Sequence, residues 1–346
     1  MSERRIFLDR GVGETRGVVT LDGKPERLIL RRDEDDLSLA MGARLTARVE
    51  SIEPAIATAF LDLGGGREAI LPFKPDARPV RGAAIEVEIR AEPRAGKLAV
   101  AREIGGGEGA PRLLTPPPDV GEILRSIVRD TEPGAGREAR AVADEAEAEV
   151  LETVHRLPGG GDIAIETTRA LTSIDVDLGD RKGQDSKRAA RQANLAAIVE
   201  GARLLRLKGI GGIVILDLVG RGHDGHALLA AARLAFSPDN PGVAIGPVGR
   251  FGTMELSIPR RTRPLAEQLR GAAGALSDRT LAQRLVRRLE TEAQAQAGAR
   301  LSAVCAPSVA KAAEPLIRSL ADRYGARFAV SADASRPRDG FDVGVA

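Results

Sequence analysis

The chain has 346 residues, 43% hydrophobic and 29% charged, enough to bury more than one core and ordinary for a globular protein in water. With 51 Lys and Arg against 49 Asp and Glu the net charge is only +2, so a nucleic-acid partner would have to be held by local basic patches and not by a global field. One cysteine excludes an intrachain disulfide and a cysteine-only zinc site, and 2% aromatics with no Trp argue against sequence-specific stacking of many bases.

The opening Met1-Ser-Glu-Arg-Arg-Ile-Phe-Leu-Asp9 has no apolar segment of signal-peptide length. No stretch reaches the roughly 18 to 20 apolar residues of a membrane span, and a cytoplasmic protein is expected. Residues 4–31 alternate apolar and charged, and Arg16-Gly-Val-Val-Thr-Leu21, Asp22-Gly-Lys-Pro25 and Arg27-Leu-Ile-Leu-Arg31 predict a β-hairpin within an N-terminal segment 1–38. Segment 39–104 contains five short apolar-alternating runs in about sixty residues, which predicts a small barrel with the spacing of an OB-fold. Within it, Phe60 is either a core side chain or an outward platform for bases. Residues 105–119, Gly-Gly-Gly-Glu-Gly-Ala-Pro-Arg-Leu-Leu-Thr-Pro-Pro-Pro-Asp, are a linker by composition, and 137–154 predict a charged, Ala-rich helix with little apolar face.

Strands and helices alternate over 155–270, an α/β layer arrangement. Strands are expected at 162–166, 170–176, 212–218, 242–248 and 252–258, and helices at 186–208 and 224–236. The long helix carries Ala190, Asn194, Ala197, Ile198, Gly201, Leu204 and Leu205 at helical spacing, one face packing on the sheet. Its other residues include Lys187, Arg188, Arg191, Arg203 and Arg206, which with Arg181 and Lys182 form a basic cluster, either a solvated face or a surface for phosphates. Residues 271–346 predict helix, strand, helix, strand, a small C-terminal α/β domain with Cys305 buried at a strand end.

Two of the central strands end on carboxylates. Ala170-Leu-Thr-Ser-Ile-Asp-Val-Asp177 and Gly212-Ile-Val-Ile-Leu-Asp-Leu218 are apolar runs long enough to be buried, and a charge in such a setting calls for a cation or a donor network. Magnesium accepts one or two carboxylates plus waters and substrate phosphates. The alternative is that each Asp caps a turn or helix. The pair His223-Asp-Gly-His226 suggests a metal motif only if a third ligand and a common face exist, so zinc there is disfavoured.

The block Arg156-Leu-Pro-Gly-Gly-Gly-Asp-Ile-Ala-Ile-Glu-Thr-Thr-Arg-Ala-Leu-Thr-Ser-Ile-Asp-Val-Asp177 resembles the catalytic core of the ribonuclease E/G family of bacterial endoribonucleases. Asn194-Leu-Ala-Ala197, Leu205-Arg-Leu-Lys-Gly-Ile-Gly-Gly-Ile-Val-Ile-Leu-Asp217 and Gly249-Arg-Phe-Gly-Thr-Met-Glu-Leu256 follow in the family's order. The resemblance implies an OB-fold RNA-binding barrel inserted before a DNase-I-like α/β catalytic core, with a small C-terminal α/β domain for oligomer contacts. It implies Asp175 and Asp217 as ligands of a catalytic magnesium, with manganese as a substitute, and Asp177 at a third catalytic position that is usually Asn. It places RNA against Phe60, Lys97 and Arg250, while the family's second stacking aromatic falls on Ile70. Segment 105–154 stands where the family carries a ribonuclease-H-like subdomain and a 5′-phosphate sensor, of which Arg129 and Thr131 are the candidate remnants beside an intrusive Asp130. The family's paired-cysteine zinc link has no counterpart in 259–280, so no structural zinc and a monomer or weak homodimer are expected. A further acid of the family is replaced by Gly220.

The expected function is a magnesium-dependent endoribonuclease that cleaves single-stranded RNA in processing or decay. Two other readings stay open at this level. One is an RNA-binding protein that has lost catalysis, suggested by Asp177, Gly220 and the shortened sensor region; the other, a phosphoesterase for a different substrate, is disfavoured by the barrel.

Overall fold

A computed structural model describes residues 3–94, 96–179, 185–239 and 242–345. Residues 181–182 of the expected basic cluster lie outside the described residues.

The N-terminal segment forms three antiparallel strands, β1 (Arg4–Arg10), β2 (Glu14–Leu21) and β3 (Lys24–Arg32), adding one strand to the predicted hairpin. Alternation splits its apolar residues between two faces. Ile6 and Val19 pack with Val120 and Leu124, whereas Phe7, Val18, Leu28 and Leu30 join the central core.

The next five strands are β4 (Arg44–Glu53), β5 (Thr58–Gly64), β6 (Arg67–Pro72), β7 (Ala84–Ala91) and β8 (Ala99–Gly106). They pair in the order β5-β6-β8-β7-β4, and β4 closes onto β5, with β6 and β8 parallel and the other pairs antiparallel. This is a closed five-stranded barrel with the connectivity of an OB-fold. Leu45, Ala47, Val49, Ala59, Leu61, Leu63, Val87 and Ile89 fill its interior. The segment read as a linker is partly sheet: β8 runs to Gly106, and β9 (Arg112–Thr115) pairs with β4. Gly and Pro content hid this, because an edge strand needs only a few residues and no apolar face.

Helices α1 (Val120–Ile127) and α2 (Gly136–Leu151) follow. α1 starts on a capping box of Asp119 and Glu122, and lies so close to β2 that a Cβ on Gly17 would come 2.5 Å from Val120. The helix expected to have little apolar face has one made of alanine. Ala139, Ala143, Ala146 and Val150 are buried at helical spacing, and small side chains let α2 sit tightly against β1, β2, β3 and α3.

The central sheet holds β10 (Val154–Arg156), β11 (Asp162–Thr167), β12 (Thr172–Asp177), β13 (Gly212–Asp217), β14 (Ala244–Val248) and β15 (Thr253–Ile258). Its order is β10-β11-β12-β13-β15-β14; β12 and β13 are parallel and every other neighbour pair is antiparallel. A parallel pair needs a long crossover, supplied by α3 (Ser186–Lys208), with α4 (Gly225–Ala235) beside it. Every apolar position expected on the inner face of α3 is buried there, together with Asn194. At its end the buried Lys208 ammonium donates to the carbonyls of Glu149, Val150 and Glu152, satisfying the last turn of α2, and burial pushes its pKa down to about 8. Arg203 and Arg206 do not join a surface for phosphates. Arg203 is 4% exposed and bound to Glu149 and Glu200, and Arg206 is bound to Glu26 and Asp239.

After a short α5 (Leu265–Leu269), the C-terminal unit consists of α6 (Asp278–Ala295), β16 (Leu301–Cys305), α7 (Pro307–Tyr324), β17 (Phe328–Ala332) and β18 (Phe341–Val345). Ser277 caps α6 as the sequence indicates. The strand β18, whose residues 341–345 end in Val-Gly-Val, escaped sequence reading, and it pairs antiparallel with β16. Cys305 is fully buried in this core. Among the described residues no helix is long and apolar enough to cross a membrane.

A buried ion network joins these units. Arg16 is 1% exposed; its Nη2 donates to Asp9 at 2.6 Å and its Nη1 to Asp144 at 2.7 Å and Glu147 at 3.2 Å. Glu147 also accepts from Arg284 at 2.7 Å and Arg287 at 2.8 Å on α6, and Arg287 reaches Glu14 on β2 at 2.5 Å. Burial alone would raise the Glu147 pKa, but Arg287, Arg284 and Arg16 together hold it below 4.5, the ordinary value. A carboxyl held low in the fold adds stability above its unfolded value, and that stability is lost as pH falls through the folded value. We therefore expect Glu147→Gln to cost about 3–5 kcal/mol at pH 7, the usual penalty for stranding a buried charge. The gap between wild type and variant should close as the pH is lowered below 4.5. Urea unfolding at a series of pH values checks both; a gap independent of pH would contradict the role given to Glu147.

Candidate metal and nucleic-acid site

Strand alternation decides where the acidic side chains go. On β12 and β13 the residues Ile174, Val176, Val214 and Leu216 are buried toward the helices, so Ser173, Asp175, Asp177, Ile213, Ile215 and Asp217 point to the other, outward face. Asp175, Asp177 and Asp217 are all exposed. The premise that they end buried runs is therefore corrected: no burial cost calls for a cation here. What does distinguish them is register. Asp175 and Asp217 are direct partners at the ends of the two parallel strands, so their Cα atoms are separated by one strand spacing, about 4.8 Å. Two carboxylates side by side repel, and both are open to water. That is a donor set for one hard cation that keeps part of its hydration shell.

Asp177 lies two residues on, on the same face, and its Oδ1 accepts from the backbone N–H of Gly179 at 2.6 Å. One oxygen is thus spent on a turn. Among the described residues no three His, Cys, Asp or Glu side chains gather to hold a metal, so Asp177 is not drawn into the pair as a third ligand. Neither do the two histidines form a site: His226 is exposed, and His223 turns its Nε2 inward, where it has no hydrogen-bond partner. The outward face is acidic beyond the pair, with Asp162, Glu166 and Glu255 at register positions beside β12 and β13. Arg156 answers only Asp162, at 3.6 Å.

Two connections surround the Asp217 end. The loop after β13 is fixed by Asn194 on α3, whose amide donates to the Val219 carbonyl and accepts from the Val219 N–H, each at 3.0 Å. Gly220 in that loop has φ +92°, and a Cβ there would come 3.0 Å from Ala190, so any side chain at this place would be strained. The other connection is the β14–β15 turn. It is tied down by the Leu218 N–H donating to the Gly252 carbonyl at 3.1 Å. It carries Arg250, whose guanidinium lies 4.5 Å over the ring of Phe251. Phe251 is 78% exposed, more than any other large apolar side chain among the described residues. Sequence reading singled out Arg250 and passed over Phe251; an aromatic in a Gly-flanked turn was the available signal.

The remaining candidates are on other units. Phe60 alternates with the buried Ala59 and Leu61, so it stands on the outside of the barrel, half-buried and directly opposite Ile70. It is not a core side chain. Lys97 is exposed in the turn that leads into β8, whose Val100 pairs with Ile70. The barrel meets the segment after the central sheet at Glu92, which donates its N–H to the Arg261 carbonyl at 2.8 Å and accepts from the N–H of Arg263 at 2.9 Å. Arg129 and Thr131 are exposed on a turn with Asp130 at φ +56°, and the Thr131 hydroxyl is used on the Arg129 carbonyl. They do not converge on a pocket with each other.

Comparison with known proteins bears on this geometry. Residues 133–261, which hold α2, the whole central sheet and both aspartates, match the model of the Ribonuclease E/G family. This segment is similar to the ribonuclease E/G family. It is 34% identical to ribonuclease E of Haemophilus influenzae over 148 residues, which is 40% of this chain and 16% of that protein. Against ribonuclease E of Escherichia coli the figures are 36% over 115 residues, 32% of this chain and 11% of the relative. Ribonuclease G of Salmonella typhimurium is 30% identical over 122 residues, 34% of this chain and 25% of the relative. The chain thus spans a quarter or less of the length of these curated relatives.

Within the ribonuclease E/G segment, Asn194 acts on the site without touching it. Asn194→Leu would fill similar space but leave the N–H and carbonyl of Val219 unpaired. We expect a loss of about 1–3 kcal/mol in stability, and faster amide exchange confined to residues 218–224 at low denaturant. Unchanged protection of that loop would contradict the role.

Proposed function

We propose that the protein is a magnesium-dependent endoribonuclease acting on single-stranded RNA. The observation that carries this reading is the pairing of Asp175 with Asp217 at the exposed ends of adjacent parallel strands, inside the segment that matches the ribonuclease E/G family. These two carboxylates would hold the ion, with manganese as a substitute. When bound, such an ion supplies Lewis acidity, polarising a phosphoryl oxygen and lowering the pKa of water.

The chain's own residues do the rest. The rigid register of β12 and β13 fixes the spacing of the two acids, and Asn194 and the β14–β15 turn fix the loops beside them. Asp177, with one oxygen free of its turn, is placed to orient water near the pair. Phe60 on the barrel exterior, with Lys97 nearby, would hold the strand of RNA, and Arg250 would contact it next to the acids. The central sheet and its helices support a DNase-I-like reading of the catalytic unit, and the smaller C-terminal unit a role in contacts between subunits. The exposure of Arg129 and Thr131 on a turn with Asp130 supports a reading in which 5′-phosphate sensing is weak.

Two outcomes follow. Asp175→Asn and Asp217→Asn should each abolish cleavage of a labelled A/U-rich single-stranded RNA in magnesium while leaving its affinity within a few fold, because the ion carries the chemistry and other surfaces carry most of the binding. Wild-type cutting by either variant would put the site elsewhere, and tight binding with no cutting by the wild type would leave an RNA-binding protein without catalysis. Rates on 5′-monophosphorylated and 5′-hydroxyl RNA should differ by less than about tenfold, or about 1.4 kcal/mol in the transition state. A larger preference would show that a phosphate pocket works.

A further inference from the structure

Between the first turns of α3 and α4 and the loop after β13 the structure has a cleft of about 260 Å³. Lys187, Arg191, Asn194, Arg221, His223 and Asp224 give it its polar lining. Asp224 is committed, accepting from Arg191 at 3.3 Å and from the Ala227 N–H at 3.1 Å as the cap of α4. Lys187 and Arg221 form no ion pair with any described residue. Three cations against one carboxylate leave the cleft positive. The turn that carries Phe251 packs on His223 of the cleft, because a Cβ on Gly252 would come 3.1 Å from the Nε2 of His223. Gly252 has φ +84°, and it is the residue that lets this imidazole, with its buried and unpartnered Nε2, pack against the turn.

A positive cleft and, in the turn packed on its His223, an exposed aromatic ring are an arrangement suited to a single nucleotide. An anion fits the first and a base fits the last. We propose that the cleft and the β14–β15 turn form one nucleotide subsite, in which Lys187, Arg191 and Arg221 hold a backbone phosphate of single-stranded RNA and Phe251 stacks on the base adjoining the acid pair. This rests on the reading of the protein as acting on RNA, and it assigns to Phe251 a contact with substrate. Arg250, stacked over one face of the ring at 4.5 Å, braces Phe251 in its exposed position, and the base takes the other face. A ring so exposed contributes little to the fold, so its removal reports on binding. Stacking tolerates any base, and the subsite therefore grips without selecting sequence.

The chain contains no Trp, so the indole of Phe251→Trp would be the one source of Trp emission. In chelator, where nothing is cut, a ten-nucleotide A/U-rich single-stranded RNA should quench that emission. Phe251→Ala should bind the same RNA, fluorescently labelled, about tenfold more weakly by anisotropy, as expected for one stacked base. The double variant Lys187→Gln, Arg221→Gln should keep the quenching at saturating RNA and lower the steepness of log affinity against log salt by about 0.7, the loss of one phosphate contact. Unchanged indole emission at saturation, or unchanged affinity of Phe251→Ala, overturns the subsite. Because these measurements need no cleavage, failure of the subsite and failure of the nuclease reading are separable. RNA cut in magnesium by a protein with silent indole leaves the nuclease and removes the subsite, while quenching without cutting does the reverse.

Discussion

A guanidinium sealed from water must be surrounded by carboxylates, and at Arg16 they are drawn from elements far apart in the chain. Asp9 comes from β1, while Asp144 and Glu147 come from α2, and Glu147 in turn gathers Arg284 and Arg287 from α6. Asp9, Glu147 and Arg287 are buried with Arg16, so none of the four can leave without stranding another. The result is that the N-terminal sheet, the crossover layer and the C-terminal unit share one electrostatic joint. α2, held in that joint, packs its alanine face against α3, and α3 supports the underside of β11 and β12. The acid pair is thus held from beneath by a chain of contacts that begins at Arg16.

Above that support the site is built from backbone register and not from deep burial. Two neighbouring strands run in the same direction because α3 carries the chain back, and Asp175, two residues before the end of β12, comes level with Asp217, the last residue of β13. Positions and not environments bring Asp175 and Asp217 together. The surrounding loops are then fixed by the side-chain amide of Asn194 and the carbonyl of Gly252.

Much of this was written locally. The barrel followed from five alternating runs with turns between them, and the inner face of α3 from its helical spacing. The two aspartates stood out as charges closing apolar runs, but the inference drawn from them was wrong in one respect. Alternation sends Asp175 outward even when Ile174 and Val176 are buried, so a mostly apolar strand may carry its charges in water. Arg203 and Arg206 misled for the complementary reason: a long cation looks solvent-bound in sequence, and its partners Glu149 and Glu26 lie on other elements. The alanine face of α2, the strand β9 and the exposure of Phe251 depend on what approaches from elsewhere in the chain, which no local pattern records.

The seam at Glu92 has a consequence for substrate length. Because it ties the barrel to the segment after β15, the barrel platform at Phe60 and the turn at Phe251 belong to one scaffold. On the proposed reading, a strand seated at one of them meets the other at a high effective concentration, provided it is long enough to reach. A shorter fragment engages a single anchor and leaves quickly. Avidity of this kind discriminates by reach alone, so the products of a cut would be released for the same reason that the intact strand was retained.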